Sequence, residues 1–267
     1  MGIGRIQNKF TKLQKSKQKG LIAYLTIGDP NLEISERFLE LIAKSGADII
    51  ELGVPYADPL ADGPVIQYAD EIALNSGTNL VKVIDLAARI GPKIDIPIIL
   101  MSYFNPILQY GPDLLINNSS AIGIDGFIIP DLPLEESRNF SLKAKKKGCA
   151  YIPLVAPTTT PSRLRKISQI ASGFVYCVSV TGITGMRQNV SSELPEFIKR
   201  VRKNMPNMNL AIGFGISNPE QASIVGQIGD AVIVGSAIMK IINQHGEFGD
   251  KKTELSSFIS SLKKALV

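Results

Sequence analysis

Leu210-Ala211-Ile212-Gly213-Phe214-Gly215-Ile216-Ser217 and Ala231-Val232-Ile233-Val234-Gly235-Ser236-Ala237 share one pattern: an apolar run broken by glycine just before a segment of helical period. Runs apolar almost throughout are expected of parallel strands buried on both faces. Outward from this pair, six similar runs precede it, so that candidate strands fall at 21–27, 49–53, 96–102, 126–130, 150–155, 174–180, 210–214 and 231–235. The segments between them have recognisable helix ends. Phe38, Leu39, Leu41 and Ile42 face inward before Gly46, and residues 134–147 end at Gly148 after a basic last turn. Pro161 after Thr160 and Pro219 after Asn218 each put proline at a first helical position behind a capping residue.

Strand then helix, eight times, predicts an α/β fold: a single-domain (β/α)8 TIM barrel over residues 1–267. Such barrels usually span about 250 residues. An open doubly wound sheet shares the alternation, so closure is an expectation. The widest gap, residues 55–73, is read as a long loop after the second strand, holding Tyr56, Asp58 and Asp62. Loops at strand C-terminal ends are where barrel enzymes carry their chemistry.

Composition narrows the chemistry. Cys149 and Cys177 sit in apolar surroundings without the spacing of a redox pair, and are read as reduced core residues of an intracellular protein. With His245 the sole histidine, a histidine-rich metal site or a histidine-based triad is disfavoured, and no metal is expected. No apolar run approaches the roughly 20 residues of a membrane span. Arg5, Lys9, Lys12, Lys15, Lys17 and Lys19 open the chain without an acid, as in a transit peptide or a nucleic-acid arm. Ile3, Ile6, Phe10 and Leu13 fall at spacings of three and four, which favours instead an extra N-terminal amphipathic helix with a solvated basic back. The net charge of +5 is then mostly surface solvation, and neither nucleic acid nor membrane is expected as a partner.

The glycine breaks in the last two loops let a phosphate approach backbone N–H groups, with helix N-termini adding positive partial charge. Gly182-Ile183-Thr184-Gly185 could close over that cradle, which suggests a phosphate-ester substrate. Tight turns alone would also need such glycines. Glu51 lies near the end of the otherwise apolar strand Ile49-Ile50-Glu51-Leu52-Gly53, where a carboxylate is costly unless paired or protonated. Partial burial raises its pKa, so that one group can donate and accept a proton near neutrality. Asp62, eleven residues on, is either a turn residue or a second carboxylate. Without a lysine on any candidate strand, Schiff-base lysis is disfavoured. Isomerisation and carbon–carbon lysis both remain open on these residues.

The run Glu51-Leu52-Gly53-Val54-Pro55-Tyr56-Ala57-Asp58-Pro59-Leu60-Ala61-Asp62-Gly63-Pro64 closely resembles the tryptophan synthase alpha subunit family. The likeness continues through Leu25-Thr26-Ile27-Gly28-Asp29-Pro30, Asn105-Pro106-Ile107, Pro130-Asp131-Leu132-Pro133, Gly182–Gly185, Gly213-Phe214-Gly215-Ile216 and Gly235-Ser236-Ala237-Ile238. The resemblance implies retro-aldol cleavage of indole-3-glycerol phosphate to indole and glyceraldehyde 3-phosphate. It implies catalytic roles for Glu51, Asp62 and Tyr176, an indole wall of Tyr24, Met101, Ile128, Leu154 and Phe214, and phosphate contacts from Thr184, Gly185, Gly213, Gly215, Gly235 and Ser236. Tyr24 departs from the phenylalanine many members carry. The resemblance further implies an α2β2 assembly that passes indole to a beta subunit, with Asp58, Pro59, Asn105 and Pro106 at the interface. Pyridoxal phosphate would reside on the beta subunit, with no cofactor on this chain. The alternatives are a free-standing lyase using the same site and a non-catalytic activator of a beta subunit. The expected compartment is the cytoplasm or the plastid stroma.

Overall fold

The computed structural model describes residues 2–178, 193–213, 215–244 and 248–267. Among the described residues nine parallel strands form one sheet: β1 (Gly20–Thr26), β2 (Ile49–Gly53), β3 (Ile98–Met101), β4 (Gly126–Ile128), β5 (Ala150–Tyr151), β6 (Leu154–Val155), β7 (Phe174–Val178), β8 (Asn209–Gly213) and β9 (Ala231–Val234). Their order is β5-β4-β3-β2-β1-β9-β8-β7-β6. The two edges, β5 and β6, are the two halves of the single fifth strand expected at 150–155. Ile152 N still donates to Phe127 O on one side (2.9 Å), and Pro153 O accepts from Tyr176 N on the other (3.0 Å). Proline has no N–H to continue a ladder, which divides the strand while its backbone joins both edges and closes the barrel.

Side chains alternate across each strand. Ile22, Ile49, Ile99, Ile128, Ile152 and Phe174 pack inside the barrel, where Ile6 and Phe10 of the helix Ile3–Lys15 join them. The amphipathic N-terminal segment is therefore the plug of the barrel's N-terminal end, with its lysine-rich back outward. Outside the sheet, Leu25, Phe38, Leu39, Phe127 and Val232 belong to the second core, between strands and helices. The expected caps are present: Thr160 accepts from Arg163 N ahead of Pro161–Ser168, and Asn218 from Gln221 N ahead of Pro219–Ile228.

Three aspartates just before strands bind that plugged end together. Asp48 accepts from Leu21 N and Lys263 Nζ (2.9 and 2.7 Å), and Asp230 from Leu210 N and Arg202 Nη1 (both 2.8 Å). Asp125 accepts from Gly2 N, Ile98 N and Arg5 Nη1 (2.8, 2.9 and 2.8 Å). Each of these acids thus has both a cation and a backbone donor.

The segment after β2 differs from the expected long loop. It is a loop only as far as Gly63, after which Pro64–Asn75 forms a helix with proline at its first position. Its buried stripe is Ile66, Ala69, Asp70 and Ala73. The carboxylate within that stripe breaks the apolar period by which a helix is recognised in sequence.

Candidate active site

The inward-facing ends of the strands meet in a cavity at the barrel's C-terminal mouth. It is lined by Tyr24, Met101, Leu154, Tyr176 and Ile233 from the strands, by Asp62 and Ile66 after β2, and by Gly213, Gly215, Gly235 and Ser236. Strand register puts Glu51 opposite Tyr24 on one side and Ile99 on the other, and Tyr176 opposite Leu154 and Ala211.

Glu51 is 0% exposed, and neither carboxylate oxygen has a hydrogen-bond partner among the described residues. Burial pushes its pKa up to about 8. The contrast with Asp48, Asp125 and Asp230 is chemical. At the plugged end each acid faces a cation and backbone N–H donors, whereas Glu51 faces neither among the described residues and burial favours its protonated form, poised to exchange a proton near neutral pH.

Asp62 reaches the same mouth from the loop before Pro64. Its Oδ2 accepts from the Tyr103 hydroxyl (2.7 Å), and that hydroxyl accepts from Ala61 N (2.9 Å). The backbone carbonyl of Asp62 takes a further bond from Gln67 Nε2 (2.8 Å). Burial raises the Asp62 pKa, and the bond from Tyr103 opposes that rise. Tyr103 was not among the residues expected from sequence. A hydroxyl that steadies a loop from a neighbouring strand end has no spacing signature, so only its place after Met101 could have marked it.

Burial, and to a lesser degree the charges of Glu51 and Asp62, raise the pKa of the Tyr176 hydroxyl, which therefore keeps its proton. Its ring lies so close to β8 that a Cβ on Gly213 would come within 2.5 Å of the hydroxyl oxygen. Gly53 makes room in the same way for Tyr24, whose hydroxyl oxygen would lie 2.3 Å from a Cβ there. Gly213, expected only as a phosphate contact, thus also admits a tyrosine ring. Gly215 has φ +58°, a conformation that favours glycine, and Ser236 begins the short helix Ser236–Ile242. These turns place backbone N–H groups at the mouth.

Of the expected indole wall, Tyr24, Met101 and Leu154 face the cavity. Ile128 does not line it: Met101, Leu154 and Tyr176 pack against the inner cluster containing Ile128 and cover it. Thr184, Gly185, Phe214 and His245 lie outside the described residues. The expected interface residues flank an aromatic pair. Tyr56 stacks on Tyr103 with ring centroids 4.9 Å apart, and Asn105 Nδ2 donates to the Tyr56 hydroxyl (3.4 Å). Beside them Asp58 and Asn105 are exposed, Pro59 and Pro106 partly so, and Leu60 is 89% exposed.

The family model for the tryptophan synthase alpha chain matches residues 10–266. The tryptophan synthase alpha chain of Geotalea daltonii is 42% identical over 266 residues, which cover 99% of each chain. Among solved structures, the tryptophan synthase alpha subunit of Legionella pneumophila superposes with a TM-score of 0.88 at 36% identity, over 100% of this chain and 98% of that one. A structure of Mycobacterium tuberculosis tryptophan synthase gives 0.89 at 32% identity, over 98% of both chains.

Proposed function

This chain belongs to the tryptophan synthase alpha chain family, and from that premise we propose that Glu51, Asp62 and Tyr176 carry out the family's reaction at the barrel mouth. The chain is a carbon–carbon lyase of tryptophan biosynthesis that cleaves indole-3-glycerol phosphate to indole and glyceraldehyde 3-phosphate. The observation that carries the assignment of residues is the wholly buried carboxyl of Glu51, without a partner among the described residues, in the layer beneath the cavity.

Protonation at indole C3 interrupts the ring's aromaticity and weakens the bond to the glycerol side chain. Asp62 accepts a hydrogen bond from the indole N–H and stabilises the positive charge that develops there. Glu51, protonated at rest, gives its proton to C3; the carboxylate this leaves takes the proton from the side-chain hydroxyl as the carbon–carbon bond breaks and the carbonyl forms, which restores the acid. Tyr176 supplies a protonated hydroxyl beside Glu51. Tyr24, Met101 and Leu154 wall the indole, with Ile128 supporting that wall from beneath. Gly213, Gly215, Gly235 and Ser236 cradle the phosphate, helped by Thr184 and Gly185; Phe214 completes the indole side.

Asp58, Pro59, Asn105 and Pro106 form the contact for a beta subunit in an α2β2 assembly. That subunit carries pyridoxal phosphate and receives the indole, and this chain works as one barrel domain without a cofactor of its own. The proposed compartment is the cytoplasm or the plastid stroma. No described helix is long and apolar enough to cross a membrane.

Indole release from indole-3-glycerol phosphate, measured with the chain alone and with a beta subunit, tests the reading. Slow release that rises strongly with the partner supports it. Fast release that ignores the partner supports a free-standing lyase. No release under either condition, with the beta subunit nevertheless activated, supports the non-catalytic alternative.

A further inference from the structure

From the wall of the site, three buried polar groups form a line that takes no part in the proton transfers. The Tyr24 hydroxyl lies 3.2 Å from Thr26 Oγ1, and Thr26 Oγ1 donates to Asp70 Oδ1 at 3.3 Å. Asp70 is 3% exposed and sits in the buried stripe of Pro64–Asn75, the helix that begins two residues after Asp62. No cation contacts it among the described residues; its other partner is the backbone N–H of Tyr56. A hydroxyl has one proton to give. Because Thr26 spends its proton on Asp70, the Tyr24 proton is directed to Thr26 Oγ1, and Asp70, which can end the chain as an acceptor, sets the direction of both bonds.

This chain fixes the ring of Tyr24. The ring lines the cavity, while its hydroxyl is turned away over Gly53, where no Cβ could fit. A phenylalanine would need no such partner, whereas a buried tyrosine hydroxyl does.

We propose that Asp70 is a positioning residue for substrate: through Thr26 it orients Tyr24 and so sets the shape of the indole wall. The proposal rests on the assignment of the cavity as the indole-3-glycerol phosphate site. Burial and the neighbouring charge of Asp62 push Asp70 up to about 8, so that near neutrality it acts mainly as an uncharged acceptor. An asparagine retains that acceptor.

The test is a double-mutant cycle in the full chain, with the dissociation constant of indole-3-glycerol phosphate measured by calorimetry in a Glu51→Gln background that does not turn over. Asp70→Ala is expected to weaken binding about tenfold when Tyr24 is present, because it strands a buried hydroxyl pair. The same change should cost less than about twofold when combined with Tyr24→Phe, the two sites being coupled only through that pair. Asp70→Asn should bind as the parent does, and it supplies the comparison if Asp70→Ala folds poorly. Equal losses with and without the Tyr24 hydroxyl would overturn the proposal and leave Asp70 a prop of its helix, as would a loss in Asp70→Asn as large as in Asp70→Ala. Turnover of the otherwise unaltered protein reports separately on the function: turnover with an additive cycle rejects the positioning role alone, whereas a coupled cycle without turnover rejects the lyase assignment alone.

Discussion

Glu51 shares its strand with Ile49 and Ile50, and all three are wholly or almost wholly buried; only Glu51 gives up ionisation to be there. With a folded-state pKa of about 8, it binds a proton that the unfolded chain releases above the ordinary value of about 4.3. Between those values the folded protein holds more protons than the unfolded one, so this residue makes stability fall as pH rises. Glu51→Gln should therefore change the melting temperature little at pH 4.5 and raise it by about 2–4 °C or more at pH 8, on the scale of 1 kcal/mol or more for a chain of this size. A pH-independent difference in thermal scans would contradict the unpaired state of Glu51. For Asp62, Asp62→Asn should lower turnover by at least about 100-fold. Tyr103→Phe, which removes the bond to Asp62 and the acceptor of Ala61 N, each worth about 1 kcal/mol, should lower kcat about fivefold or more with KM nearly unchanged. Steady-state kinetics decide both, and an undiminished kcat in Tyr103→Phe would detach Tyr103 from the site. Glu51 was legible in the sequence because a charge interrupts an apolar strand. Tyr103 and Asp70 were not, since their importance comes from partners on other elements.

At the scale of elements, the strands were legible because burial on both faces leaves long apolar runs, and helix ends because capping is local chemistry. The break at Pro153 was visible as a residue, but that it would divide a strand while joining both sheet edges depends on the closed ring. The helix Pro64–Asn75 was hidden by its own Asp70. Glycines are the other case in which the element, not the residue type, decides the role. Gly213→Ala would drive a Cβ toward the Tyr176 hydroxyl at 2.5 Å. We expect a loss of about 1–3 kcal/mol in stability, typical of overpacking, with turnover reduced at least tenfold as Tyr176 is displaced. Adding Tyr176→Leu should recover much of the stability in urea unfolding and none of the turnover. If Gly213→Ala alone left both unchanged, the close packing of β8 on Tyr176 would be refuted.

Across the whole molecule the barrel divides its labour between two ends. The plugged end carries acids matched by cations and backbone donors, and Phe10 packs against Phe174 with centroids 6.0 Å apart. Phe10→Ala should destabilise by about 3–5 kcal/mol in urea unfolding while leaving turnover of the folded protein intact, because the cavity lies at the opposite mouth. Lost turnover without lost stability would contradict that separation. The open end carries the buried carboxyl of Glu51, without a partner among the described residues, the cavity lined by Tyr24 and Tyr176, and a loop in which Asp58 and Leu60 are exposed. Single-turnover release of indole from indole-3-glycerol phosphate by the unaltered chain and by Glu51→Gln, with binding of the phosphate ester followed in parallel, tests the role of the open end most directly. The result we predict is release abolished in Glu51→Gln and binding retained; release at near the unaltered rate would contradict the assignment of Glu51 as the proton-transfer group.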